Sequence, residues 1–494
     1  MRAALCAVLA AALLAVTPGA AAGQIGEAEA VRAADRDAKV LDQRQKNGQL
    51  SQSAAKVDGS WEVSYFAEDE RVALVIVDPG TGLVRESWTG HQVAWKMARG
   101  YSGAFGHKLN APYVFLPLCA LFLLGLVDWR RPWRVANLDL LVLLAFGASH
   151  FFFNRGEIGV SVPLQYPPLL YLLGRVLWIG WRGRGEGIRP VWPAAWLLVA
   201  ALFLLGFRVG LNVADSGAID VGYASVVGAD RIAHGEPLYG SFPDDVSQGD
   251  TYGPTSYLAY VPFELIWPWS GSWDDLPAAH GAAGRKLAAT LGFGWAAYPY
   301  TAFVLESNSN DTLVAMLLVA TLLALARPAL RGIAAALAAL AKFAPLLLAP
   351  MLATYDRDRG PTRFSAAFLL TAVALMLWPA IDPGLSTFYD RTIAYQADRD
   401  SPFSIWGQID LEPLRIAILA AVAAMSLLFA FRPKEKQLFQ VAALGAALLI
   451  GIQLTAEHWF YLYIVWFYPL LLIAVTAPEP APSPARSSPP APRR

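Results

Sequence analysis

The chain has 494 residues, of which 56% are hydrophobic and only 16% charged, and its mean hydropathy is +0.40. That balance excludes an ordinary soluble globular protein, in which about a quarter of the residues are charged. Lys+Arg and Asp+Glu number 39 each, so the basic excess that marks a nucleic-acid partner is missing and no nucleic acid is expected to bind.

Residues 1–22 read as a secretory signal, with Arg2, an apolar stretch from Ala3 to Val16 and the small-residue site Ala20-Ala21-Ala22. An uncleaved anchor is the alternative, and either one exports the residues from Gly23 onward. Residues 23–110 have the composition of a small soluble α+β domain. It begins with a polar, helix-compatible stretch from Glu27 to Val57. Two strands come next, Trp61 to Ala67 and Val72 to Asp78, separated by the charged turn Glu68-Asp69-Glu70-Arg71 and closed by Pro79-Gly80-Thr81-Gly82. Cys6 and Cys119 both fall in apolar runs, and no structural disulfide is expected.

From Ala111 the chain alternates short loops with apolar runs, each long enough to cross most of a bilayer at about 1.5 Å per residue. Eleven spans are expected, near 111–128, 136–153, 163–181, 191–210, 254–270, 287–305, 312–326, 364–381, 413–430, 437–456 and 460–476. The segment 332–354 reads differently, as a short helical hairpin with Lys342 at its tip, because Pro345 removes a backbone donor at the hinge. Residues 477–494, rich in Pro, Ser and Ala, read as a disordered cytoplasmic tail. Every second loop is basic: Arg130, Arg131 and Arg134; Arg182, Arg184 and Arg189; Arg285 and Lys286; Arg327 and Arg331; Arg357, Arg359 and Arg363; Arg432, Lys434 and Lys436. The positive-inside rule puts these loops in the cytoplasm and the intervening ones outside, in agreement with an exported N-terminal domain.

Three outward segments are too polar or too long to be mere connectors: Asn212 to Gly253, Asn308-Ser309-Asn310-Asp311, and Asp382 to Glu412. In the first, Ile219 to Ala233 predicts a helix with Asp220, Tyr223, Val227, Asp230 and His234 on one face, lying on the membrane surface. Asp220 has two readings, a cap for the helix it starts or a carboxylate that does chemistry. Asp215 is its nearest competitor. Lys342 is a snorkelling lysine or a functional one. The Asp390-Arg391 pair is a salt bridge or part of a site, and His458 belongs to an interfacial aromatic belt or to a site. No metal motif stands in the sequence; Asp244-Asp245 reads as a solvated turn, and neither metal nor cofactor is expected.

These residues carry two resemblances. Ile76-Val77-Asp78-Pro79-Gly80-Thr81-Gly82, then Val84-Arg85-Glu86-Ser87, after a helix and a hairpin, resembles PepSY-like extracytoplasmic modules over about forty residues. Asp220-Val221-Gly222-Tyr223, Gly235 to Tyr239, Tyr252-Gly253-Pro254, Asn308 to Asp311 and Lys342 to Pro345, in that order, resemble the polytopic GT-C class of glycosyltransferases, glycosyltransferase family 87 most of all. That resemblance covers residues 191–476, with 111–190 as preceding transmembrane helices. It implies an integral protein of the bacterial plasma membrane that moves a hexose, mannose in that family, from a polyprenyl-phosphate donor to an extracytoplasmic lipid-linked or glycan acceptor, with inversion. It also implies an extracytoplasmic Asp as general base, which maps onto Asp220. The phosphate leaving group calls for cations, and Lys342, Arg391, Arg399 and His458 are the candidates. Tyr223, Tyr239, Tyr252, Asn310 and Asp311 are the candidate substrate contacts. The chain departs from the family between Trp273 and Arg285, where another apolar span is implied and only Ala278 to Gly284 stands; residues 254–270 are expected to cross in its place. The competing functions are an inactive or sensory membrane scaffold, and a transporter with Arg175 as its clearest mid-span charge.

Overall fold

The structure, a computed structural model, describes residues 24–100, 105–185, 187–266, 268–269, 271, 287–356, 360–397 and 401–476. The signal segment, the Pro-rich tail, Arg399, Asp274-Asp275, Arg285-Lys286, Arg357 and Arg359 lie outside those residues. The chain divides into two units, one ending at Gly100 and one beginning at Tyr101.

The first unit is α+β. Two helices, Glu27–Ala34 and Ala38–Asn47, precede four strands: β1 Ser51–Val57, β2 Ser60–Ala67, β3 Glu70–Val77 and β4 Val84–Thr89. They form one antiparallel meander in the order β1-β2-β3-β4. The helical stretch expected to run to Val57 therefore stops at Gly48, and its last seven residues are a strand. The cause is local. Gly48 ends the helix at φ +76°, and Asp58 (φ +46°) with Gly59 (φ +76°) makes the two-residue turn that pairs Val57 with Ser60. Val63, Tyr65, Ala73, Val75 and Val77 point to one face of the sheet, where Ala30, Ala34 and Val40 cover them.

The second unit is helical. Among the described residues, four of its helices are long and apolar enough to cross a membrane: Val135–Asn154, Ala194–Ala214, Gly360–Ile381 and Glu412–Phe431. Shorter apolar helices include Pro112–Leu126, Asp311–Leu323, Pro328–Ala339 and Leu438–Gln453. Gly360–Ile381 shows Leu369, Leu370, Val373 and Leu377 on its surface, and Ala194–Ala214 shows Leu198, Val199, Leu202 and Phe203. Bare apolar faces of this size call for lipid or a partner.

At the centre, Leu438–Gln453 is buried from Gln440 to Gly451 between the helices Tyr166–Arg182 and Ile464–Val475. Glycines allow the close approach: a Cβ on Gly180 would meet Leu444, and one on Gly445 would meet Leu470. Arg175, the mid-span charge, is not a free cation. Its guanidinium donates to both oxygens of buried Asp139 at 2.9 and 3.0 Å, and Tyr171 donates to the same carboxylate at 2.9 Å.

Two expectations change in the segment that carries the site. Residues 254–270 do not make one span: they hold two short helices, Pro254–Leu258 and Val261–Glu264. Helices of that length rise less than about 10 Å, far short of a bilayer. The helix Asp220–His234 forms as expected, but it is embedded in protein, buried from Gly222 to Ala229, and does not lie on a membrane surface along the Tyr223–Val227 face. Small residues again explain the difference, since a Cβ on Gly222 would strike the Asn308 carbonyl at 2.7 Å and one on Gly228 the Tyr257 ring at 2.2 Å.

Candidate functional site

Asp220 is the first residue of its helix; the N-cap is Ile219, and no side-chain cap bond is made. The capping reading of Asp220 therefore fails. Its carboxylate is exposed, and among the described residues it accepts no hydrogen bond and forms no ion pair. An aspartate in the first helical turn still gains from the helix dipole, which leaves its oxygens free for an incoming group.

Burial first, then the Asp220 charge, then Tyr463 and Asp311, push the Tyr252 phenol well above its ordinary range. Tyr252 stands where it does because the chain after it is docked by its backbone. Gly253 and Thr255 donate their peptide N–H groups to Ala341 (3.3 Å) and Leu340 (3.1 Å), and the Ser256 hydroxyl donates to Ala341 at 2.9 Å. Only glycine fits at 253, since a Cβ there would lie 2.0 Å from the Leu340 carbonyl oxygen.

That docking brings Tyr252 beside Lys342, which sits at the turn between Pro328–Ala339 and the 3-10 helix Ala344–Leu348, at the tip of the expected hairpin. Lys342 is buried, and its ammonium donates to Asp311 Oδ1 at 2.7 Å. Three rings surround it, Tyr252 at 4.8 Å, Trp466 at 5.4 Å and Tyr463 at 5.6 Å, so the charge is held both by an anion and by aromatic faces. Asp311 is fully buried and also accepts from the Trp466 indole at 2.7 Å and from Ser309. The snorkelling reading of Lys342 fails with this geometry. Next to Asp311, Asn310 donates its amide to Ser225 at 3.2 Å, and its carbonyl oxygen is buried with no partner.

Lys342, Tyr252, Tyr463 and Trp466 wall a cavity of about 210 Å³, together with Gln396, Gln453 and His458. The His458 ring bonds through Nδ1 to the Ser401 hydroxyl at 2.9 Å. A lysine ammonium has three donors, and one of these is spent on Asp311. An anionic group in the cavity would thus meet a lysine, a histidine and aromatic faces on which a sugar ring can stack. The volume is below the ~300–1,000 Å³ of sites for drug-sized ligands and suits something of monosaccharide size.

The other sequence candidates lie elsewhere. Arg391 is bound to buried Asp250, with Nε at 2.8 and 2.9 Å and Nη2 at 2.6 Å from its oxygens, and also to the Ser247 carbonyl. Its partner is thus Asp250 and not the adjacent Asp390. Tyr223 and Tyr239 belong to the core of the loop with Val227, Phe242 and Tyr257. Their hydroxyls donate to Asp245 at 3.2 Å and to the Tyr252 carbonyl at 2.9 Å. Asp215 is occupied by Lys108, whose peptide N–H donates to it at 3.0 Å. Gln453, Tyr463 and Trp466 line the cavity without having been sequence candidates. A glutamine in the apolar helix Leu438–Gln453 is a readable signal; the two aromatics lie in an aromatic-rich apolar run that gives none. No family model, curated protein or solved structure matches this chain, so what the site does is argued from its own geometry and from the sequence resemblance.

Proposed function

We propose that this chain is an integral membrane hexosyltransferase that moves a sugar, mannose by its family resemblance, from a polyprenyl phosphate to a lipid-linked or glycan acceptor. The reaction takes place on the extracytoplasmic side of a bacterial plasma membrane. The observation that carries the reading is the cavity in which buried Lys342 and His458 stand among the rings of Tyr252, Tyr463 and Trp466; the exposed carboxylate of Asp220 is the base that the family resemblance assigns. In this reading the donor phosphate lies against Lys342 and His458, and the hexose against Tyr252, Tyr463 or Trp466. Asp220 takes the proton from the acceptor hydroxyl as its oxygen attacks the anomeric carbon, and the bond to the lipid phosphate breaks on the opposite face. A positioned base of this kind contributes about 10²- to 10⁴-fold. The sidedness rests on the basic loops, and the four long apolar helices support residence in the membrane.

The test is sugar transfer in membranes containing the full chain, given radiolabelled polyprenyl-phosphate mannose and several acceptor lipids. Asp220→Asn is expected to lower turnover by about 10²-fold or more. If wild-type membranes do no better than membranes without the protein, the transferase reading fails. If Asp220→Asn keeps full turnover while the wild type is active, the class stands and another group is the base.

A further inference from the structure

A second cluster of polar groups lies outside the cavity. His107, Asp215 and Glu306 come from three segments far apart in the chain, so no spacing motif announces them. His107 begins the 3-10 turn His107–Asn110, Asp215 is the C-cap of Ala194–Ala214, and Glu306 ends the helix Pro299–Glu306. One ligand-type atom from each, an imidazole nitrogen and two carboxylate oxygens, lies within 4.8 Å of the other two.

An acidic cluster alone would mean little, but Glu306 supplies an independent observation. The residue is only 3% exposed, and neither of its carboxylate oxygens has a hydrogen-bond partner. Gly217 lies directly against that carboxylate, since a Cβ there would be 2.7 Å from Oε1. A buried, unpartnered carboxylate is costly to leave uncompensated. A cation stands nearby in Lys108, whose Nζ is 3.5 Å from Asp215 Oδ1 and whose side chain is 57% exposed; among the described residues it makes no ion pair with Glu306.

We infer that His107, Asp215 and Glu306 bind a divalent transition-metal cation of the Zn²⁺ type. One imidazole and two carboxylates are a three-ligand set that leaves a fourth position for water. Tetrahedral zinc at about 2.0–2.1 Å from each ligand needs the donor atoms ~3.3 Å apart. The three donor atoms, within 4.8 Å of one another, would have to close to that spacing when the ion binds; His107 is exposed and Asp215 half-buried, with Asp215 Oδ2 accepting from the Lys108 peptide N–H. The ion would join the chain entering the Asp220 loop to the helix end that precedes Asn308 to Asp311. The inference does not depend on the transferase reading.

The test uses the full chain purified in detergent, stripped with a chelator and titrated with Zn²⁺ against a chromophoric competitor, with bound metal measured by elemental analysis. One equivalent is expected to bind saturably. Glu306→Gln and His107→Ala should each weaken binding at least tenfold, and Lys108→Ala should keep or tighten it by removing the competing cation. His107 is exposed, so His107→Ala tests the site without disturbing the core. Absence of saturable binding to the wild type would overturn the inference, as would unchanged affinity in His107→Ala.

Discussion

At the scale of single residues, the site is built around a charge that the fold has buried. Lys342 stands out in the sequence because a lysine in an apolar hairpin has no cheap place to go, and Asp311 stands out because it closes a polar turn. That they meet is not legible there, since the pairing depends on how two helices cross and leaves no trace in spacing. Removing one partner leaves the other charge buried and uncompensated, which costs about 3–5 kcal/mol. Asp311→Asn is therefore expected to lower the thermal unfolding midpoint of the detergent-purified protein markedly. The double variant Asp311→Asn/Lys342→Met removes both charges together and should recover a large part of the loss. If the single variant unfolds at the wild-type temperature, the pair does not hold the site. Asp220 shows the opposite case: its place at a helix start is readable, while its freedom from capping requires the position of Ile219 as the true N-cap.

At the scale of elements, the errors in reading 219–270 share one cause. Periodicity and hydropathy report which residues are apolar, and they are blind to backbone meeting backbone. The helix Asp220–His234 reads as a surface helix because Tyr223 and Val227 share a face with Asp220; Gly222 and Gly228, on its other sides, let the helix pack closely against Asn308 and Tyr257 and sink into protein. Residues 254–270 read as a span because they are apolar, yet the peptide N–H groups of Gly253 and Thr255 dock the segment on the carbonyls of Ala341 and Leu340. Gly253→Ala places a carbon 2.0 Å from the Leu340 carbonyl oxygen, and overpacking against backbone costs typically about 1–3 kcal/mol. Gly206→Ala is the matched control: it lies in Ala194–Ala214 with nothing within 4 Å, and alanine is favoured over glycine in a helix by about 1 kcal/mol. Thermal unfolding should show Gly253→Ala destabilised and Gly206→Ala unchanged or slightly stabilised. Equal midpoints for the two variants would show that the docking of Gly253 on Leu340 is not a stabilising contact.

At the scale of the whole molecule, the expected orientation rests on the positive-inside reading of the basic loops, in which the step from the Asp220 loop to Arg285-Lys286 loses its expected crossing at 254–270; composition and the four long apolar helices among the described residues support the membrane assignment. The proposed chemistry requires the Asn212 to Gly253 loop on the outer side, because a carboxylate on the other face would never meet an exported acceptor. This sidedness can be measured directly. Cys6 and Cys119 are the native thiols; with both replaced by alanine, single cysteines are placed at exposed Ser241, in the Asp220 loop, and at exposed Lys434, in the basic loop after Glu412–Phe431. A membrane-impermeant maleimide applied to intact cells should label Ser241→Cys and spare Lys434→Cys, which should react only after permeabilisation. The reverse pattern would put the Asp220 loop in the cytoplasm with an excess of Arg and Lys outside. Both the positive-inside argument and the proposed transfer to an exported acceptor would then fall together.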